Sequence, residues 1–311
     1  MIIGKYFSDR ARWAYRGCLT VTLATFAGYY LPHSIYLDKY KEFMTCYRDG
    51  AETTLPEVIL QRFEAAREMV KLKKREANLL TPFATFGTDL FYAGSTKWRF
   101  GALIGIPTNY LYTQEEDIEK KSIKLHTESI KWNSPDGEKL AQSLILTEDE
   151  QIYGMAHSML MTANYQRLLN GLFAGGTIMT TYTMAFVLNR RMQLLSRPFA
   201  IRGVLYSILS CFAFGLWALC KDATNVYYEG AADDQLGSLG ENVAEAGVRF
   251  YGKILAKNQA LRGITGKSGT FSTEGDLCYL IRQKTLPFTV RKAMLEEKVR
   301  EFRKERAKTE E

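Results

Sequence analysis

Two residues of this chain have the chemistry to share one site: His157 and Glu229. His157 lies in Thr147 to Met161 (TEDEQIYGMAHSMLM), a short acidic opening followed by a helical pattern. Glu229 and Asp233 belong to Glu229-Gly230-Ala231-Ala232-Asp233, an E-x-x-A-D pattern on a second helical stretch. Imidazoles and carboxylates hold the zinc ions that activate water for hydrolysis. On one helix that chemistry needs two histidines four positions apart, with a glutamate beside the first as general base. Here Ser158 stands where the base is required and Met161 where the second histidine is required. One imidazole and one carboxylate do not complete a three-donor site, and serine cannot replace the base. The plain alternatives are a packed or hydrogen-bonded histidine and acids on a solvated first helical turn, where the macrodipole favours them. No catalytic, cofactor-binding or metal-binding residue is assigned, and the chain is not expected to be an enzyme.

Other chemistries find less. No G-x-S-x-G is present, so a serine nucleophile has no local signature. The Gly/Ser/Thr-rich run GITGKSGTFSTEGD, residues 263–276, contains Lys267, but the distance from Gly263 is too short for a phosphate loop and no strand clearly precedes it. The three histidines, His33, His126 and His157, are scattered. Of the five cysteines, Cys18, Cys211 and Cys220 lie in apolar runs. Cys46 and Cys278 form no CxxC pair; two unpaired thiols are expected, with a cross-fold pair as the alternative. The net charge of +7 suits an anionic surface. The basic residues collect beside apolar blocks rather than among aromatics, which points to membrane topology and not to nucleic acid.

The elements that must position these residues are set by those apolar blocks. Leu168 to Asn189 is uninterrupted by charge between Arg167 and Arg190. At about 1.5 Å per residue such a run crosses a hydrocarbon core of about 30 Å. Gly203 to Cys220 is uncharged between Arg202 and Lys221, with Trp217 suited to an interface. A weaker block, Gly17 to Pro32, follows the basic residues Lys5, Arg10, Arg12 and Arg16 and ends in bulky aromatics, as an uncleaved signal-anchor would. Transmembrane helices are therefore expected over residues 14–32, 168–188 and 203–220. The basic segment 1–13 and the loop 189–202, which holds Arg190, Arg191, Arg197 and Arg202 and no acid, share the positive-inside face. The regions 33–167 and 221–311 then share the opposite face. A small-molecule carrier is disfavoured because the second and third spans contain no Asp, Glu, Lys, Arg or His.

In region 33–167, Pro56 to Leu80 reads as an amphipathic helix burying Val58, Ile59, Phe63, Ala66, Met69, Val70 and Leu72. Strands are expected from Thr81, and Ser134-Pro135-Asp136-Gly137 reads as a turn. Thr147 and Glu150 form a capping box opening a helix that runs towards Arg167 and into the second span. In region 221–311, Glu229 to Leu255 reads as helix with Val243, Val248, Phe250, Ile254 and Leu255 inward. The tail from Arg291 to Glu311 reads as a solvated, charged helix. The fold class is α+β, a mixed soluble domain carried by about three transmembrane helices.

Two resemblances follow. A histidine helix just before a membrane hairpin, with E-x-x-A-D just after it, resembles the membrane-embedded zinc peptidases related to the heat-shock protease and its mitochondrial cousin. It implies a degenerate zincin-like fold without metal, unless the pattern is chance; a peptidase with unconventional metal ligands is the alternative function. Longer stretches resemble the transmembrane protein 177 family: Thr81 to Phe86, GALIGIP (Gly101 to Pro107), IKWNSPDGEKLAQSLILTEDE (Ile130 to Glu150) and VRFYGKILAKNQALRGITGKSGTFSTEGD (Val248 to Asp276). This second resemblance implies a multi-pass protein of the mitochondrial inner membrane. It implies a non-catalytic accessory role in cytochrome c oxidase assembly, stabilising newly made subunit 2 and its chaperone by protein contact. The positive-inside face would be the matrix and the soluble regions would lie in the intermembrane space. Expected partners are subunit 2, its chaperone and the lipid bilayer, with no nucleic acid, no small-molecule substrate and no cofactor. Gly171, Gly175, Gly176, Thr177, Thr180 and Thr181 give the second span a face of small residues, for a partner helix or for the chain's own third span.

Overall fold

The computed structural model describes residues 9–310 except 49, 119, 121, 122, 126, 127, 267 and 268. Lys5, His126 and Lys267 therefore lie outside the described residues. Helices dominate: α1 (Asp9–Tyr30), α2 (Leu37–Met44), α3 (Glu57–Val70), α4 (Lys74–Ala77), α5 (Pro135–Leu144), α6 (Glu148–Thr162), α7 (Gln166–Arg191), α8 (Phe199–Gly237), α9 (Glu241–Thr265) and α10 (Phe288–Glu310). Strands β1 (Tyr47–Arg48) and β2 (Ala51–Glu52) pair, as do β6 (Lys124–Leu125) and β7 (Glu128–Ser129). The main sheet has β5 (Gly101–Pro107) between β3 (Leu80–Thr85), which runs parallel to it, and β4 (Phe91–Ser95), which runs antiparallel. As the central strand β5 is buried throughout, which is why it reads as one apolar run. At Gly94 (φ +79) a Cβ would stand 2.5 Å from the Gly101 carbonyl oxygen, so that corner of the sheet requires glycine.

The two long apolar helices form a hairpin, and a third helix packs against it. Helices α7 and α8 are long and apolar enough to cross a bilayer, and they lie side by side. Large side chains such as Phe199, Val204, Ile208, Phe212 and Phe214 are exposed on α8, as lipid-facing positions are. Helix α1, which is less apolar, packs antiparallel along α7. Its Phe26 meets Gly171, its Thr22 meets Gly175, and Tyr15 lies 6.2 Å from Tyr182 near the other end. The beginning of α1 and the basic loop joining α7 to α8 are thus at one end, with every other element at the opposite end. Gly171 and Gly175 face α1 and not α8. Gly176, Thr177, Thr180 and Thr181 line a groove of about 210 Å³ between α7 and α8.

Regions 33–167 and 221–311 interleave around one main core. Ile59 and Phe63 of α3, Ile104 and Ile106 of β5, Met155 and Met159 of α6, Leu236 of α8, Tyr251 of α9 and Leu295 of α10 all belong to it. Helix α6 is central: apart from Ile152, every residue from Glu150 to Thr162 is buried. Its capping box forms, with the Thr147 hydroxyl accepting from the Glu150 amide at 3.5 Å and the Glu150 carboxylate accepting from the Thr147 amide at 2.9 Å.

Six local expectations change. The helix expected over Pro56 to Leu80 ends at Val70, where Lys71 turns left-handed (φ +50), and Leu80 already opens β3. Helix α6 does not run into the span: the chain turns at Ala163 to Tyr165, where the Asn164 side chain accepts from the Gln166 amide at 2.9 Å and its carbonyl accepts from the Ser95 hydroxyl at 2.7 Å. The third apolar helix does not stop near Cys220 but continues to Gly237, and the next helix begins only at Glu241. Ser134 is an N-cap and not a turn residue; its hydroxyl accepts from the Gly137 amide at 3.1 Å, and Pro135 opens α5. Val58 is exposed, because the buried face of α3 runs through Ile59, Phe63, Ala66 and Val70. The charged tail is solvated only in part, since Arg291, Leu295 and Val299 are buried.

Candidate functional site

The structure brings His157, Glu229 and Asp233 together and adds residues that spacing did not indicate. His157 comes from the middle of α6, Glu229 and Asp233 from the body half of α8, and Arg291 from the first turn of α10. Small residues let these helices close. A Cβ on Gly247 of α9 would stand 2.6 Å from both the Tyr153 ring and Leu295. Tyr153 of α6 and Tyr251 of α9 complete the ring around Asp233.

Asp233 is fully buried and fully used. Its Oδ1 accepts from the Tyr153 hydroxyl at 2.8 Å and the Tyr251 hydroxyl at 2.7 Å, and its Oδ2 accepts from Arg291 Nε at 2.5 Å. The Arg291 guanidinium stacks 4.5 Å from the Tyr251 ring centre and donates from Nη2 to Nε2 of His157. An arginine can only donate, so Nε2 presents its lone pair and the imidazole proton sits on Nδ1. A hydrogen bond between the ring and the backbone carbonyl of Glu229 suits that tautomer.

The electrostatics follow from burial and this single cation. Burial, then Arg291, pushes the His157 pKa down to about 4, so the ring is neutral at pH 7. Burial pushes the Asp233 carboxyl up, but Arg291 and the Tyr251 hydroxyl outweigh it and hold it below the usual carboxylate range. Burial raises the Tyr153 and Tyr251 phenols well above their ordinary value, and the Asp233 charge adds to this. Glu229 is raised mainly by burial. Its carboxylate accepts from the Leu286 amide at 2.6 Å and the Asn225 side chain at 2.9 Å.

One face of α8 thus holds the segment before and into α10 like a strap. Arg282 donates from Nε and Nη2 to Asp222, both at 2.8 Å. The Lys284 carbonyl accepts from Asn225 at 2.9 Å, the Leu286 amide donates to Glu229, and Arg291 donates to Asp233. Residues 222, 225, 229 and 233 are spaced three or four apart, which aligns them on a helix. Glu229 and Asp233 are therefore not solvated acids on a first turn. They lie well inside a helix of 39 residues and bind the strap.

This arrangement does not fit a zinc ion. The Nε2 lone pair that would ligate a metal is taken by Arg291, and the Glu229 carboxylate is taken by the strap. Among the described residues, no group of three or more His, Cys, Asp or Glu is placed to hold one. Beside the cluster lies a cavity of about 400 Å³, walled by Tyr92, His157, Phe250, Lys257 and Arg291 among others. Two of its wall residues, Asn109 and Tyr110, are 4% and 2% exposed, and the Asn109 side-chain oxygen and the Tyr110 hydroxyl have no hydrogen-bond partner. Lys257, also on the wall, pairs with Asp89. All five cysteines are free, with Cys46 half-buried and Cys278 exposed.

Sequence reasoning missed Arg291, Tyr153 and Tyr251. For Arg291 a signal was present: Phe288, Leu295, Val299 and Phe302 form an apolar stripe at helical spacing within the charged tail. A stripe of that kind marks a packed helix.

The family profile described as Transmembrane protein 177 matches residues 84–307. The Transmembrane protein 177 of Xenopus laevis is 29% identical over 218 residues, covering 68% of this chain and 70% of that protein. That of Rattus norvegicus is 27% identical over 218 residues, covering 69% and 70%. That of Homo sapiens is 24% identical over 281 residues, covering 89% of each. No solved structure matches the chain. The matched span takes in the hairpin, the strap and every residue of the ion cluster, and the chain belongs to the Transmembrane protein 177 family.

Proposed function

We propose that the protein is a non-catalytic accessory factor of the mitochondrial inner membrane. In this reading it serves cytochrome c oxidase assembly by holding newly made subunit 2 and its chaperone through protein contact. The observation that carries the non-catalytic part is the use of Arg291 as the resident cation of the cluster. A guanidinium cannot polarise a water as a metal does, and here it ties three helices together. The α1 helix is read as a third span, supported by its packing along α7 and by the common end shared by its beginning and the arginine-rich loop. On that topology the basic end faces the matrix and the body stands in the intermembrane space, where a membrane-anchored client would expose its soluble domain. The cavity beside the cluster, with two unpaired buried polar groups, supports a binding role for the body.

Affinity purification from mitochondria in mild detergent tests the assembly role. Recovery of subunit 2 with its chaperone is expected; their absence alongside other inner-membrane proteins would sink it. The peptidase alternative is tested separately by metal analysis of the purified protein. Stoichiometric zinc that disappears in His157→Ala would favour the peptidase, and no zinc in either protein is expected.

A further inference from the structure

The strap that closes the ion cluster starts beside the membrane. Its first residues are Tyr279-Leu280-Ile281-Arg282-Gln283-Lys284. Leu280 is 98% exposed and Ile281 89%, more than any other large apolar side chain among the described residues. Two adjacent branched apolar side chains left bare in water forgo the whole benefit of burial. Their position along α8 is fixed by the next residue. Arg282 is held by Asp222 through two hydrogen bonds of 2.8 Å, and its guanidinium lies 5.7 Å from the Trp217 ring centre. The Lys221 ammonium lies 5.5 Å from the same ring, and Tyr29 of α1 approaches it at 6.4 Å. This is the level at which the uncharged run of α8 ends, and where Trp and Tyr mark the boundary between hydrocarbon and headgroups.

We propose that Leu280 and Ile281 insert into the headgroup–acyl boundary of the bilayer, so that this loop is a peripheral membrane contact distinct from the spanning helices. The occupant is phospholipid, for two reasons. The loop is tied to α8 at the level where the uncharged run of that helix ends. Its apolar tip is also bracketed by Tyr279 and by two cations, Arg282 and Lys284, a composition that matches acyl chains below and phosphates above. Because the strap continues from Arg282 through Leu286 to Arg291, the lipid contact is joined covalently to the segment that fills the ion cluster.

The test uses the full chain in nanodiscs of phosphatidylcholine and phosphatidylglycerol, with the native cysteines replaced. An environment-sensitive fluorophore is placed at Ile281→Cys and, as a control, at the exposed Lys304→Cys on α10. The Ile281 label should emit to the blue of the control, resist iodide, and be quenched several-fold by lipid carrying a nitroxide near the headgroup. An Ile281 label as open to iodide as the control overturns the proposal. So does a blue-shifted label insensitive to the nitroxide lipid, which would place the loop against protein instead. A cooperative thermal transition in each labelled protein shows that the body is folded.

Discussion

The two halves of α8 share one helix and live in two solvents. From Phe199 to about Cys220 the helix leaves phenylalanines, isoleucines and leucines uncovered and carries no acid. From Asp222 to Gly237 it buries three carboxylates, with Asp222 8% exposed, Glu229 6% and Asp233 0%. Helical periodicity is the same in both halves; what differs is where free energy is stored. The membrane half can change one apolar group for another at little cost, because lipid re-covers whatever is exposed. In the body half each carboxylate is bound by a specific donor from the strap, so each is intolerant of loss. One helix therefore serves as anchor at one end and as the receptor for a tertiary clasp at the other.

The sharpest way to break this contrast is to remove the clasp. Arg291→Ala leaves Asp233 ionised and buried with only two phenols to hold it, and should destabilise the body by about 3–5 kcal/mol. Thermal or denaturant unfolding in detergent reads this. A loss below about 1 kcal/mol would mean that the cluster is not structural. Replacing Arg291 and Asp233 together by apolar residues should cost less than the single change, because no lone charge remains.

A smaller effect comes with acid. The folded His157 titrates near 4 and the unfolded side chain near 6.5, so the unfolded chain takes up the proton first. Stability is complete above about pH 6.5 and falls as the pH drops towards 4, by about 3 kcal/mol at most from this ring. His33, lowered by burial and then by Arg167 to about 3, loses stability in the same direction. His157→Gln, whose amide oxygen can still accept from Arg291, should remove the His157 share. An acid limb of unchanged depth in that variant would contradict the assignment of a neutral ring.

The smallest effect is expected in the other half of α8. Phe212 is 64% exposed among lipid-facing neighbours, and Phe212→Ala should shift stability by no more than about 0.5 kcal/mol. A loss as large as that of Arg291→Ala would show that the two halves are not different in kind.

Much of this architecture was legible in the residues. The absence of charge from Leu168 to Asn189 and from Gly203 to Cys220 is a local property, and it marked both membrane helices. Arginine placement put the hairpin loop and the start of α1 at one end. Thr147 with Glu150 marked the start of α6, and the change of composition at Thr81 marked where strands begin. The pairing of His157 with the E-x-x-A-D pattern was also legible as a juxtaposition, because both flank the hairpin and its closure brings them level.

The chemistry of that juxtaposition was not legible. Residue types alone allowed solvated acids, a remnant metal site or a packed histidine. The choice depended on Arg291, which is 58 residues from Asp233 in sequence and sits within a tail whose charges look solvated. Burial of a charged residue follows from what the folded chain brings to it, and that is a property of packing and not of composition. The sequence by itself therefore determined where the chain meets lipid, because the cost of a charge in hydrocarbon is paid residue by residue. Only the tertiary structure decided that the acids of α8 bind an arginine strap, because a buried ion is tolerated only where distant parts of the chain converge to satisfy it.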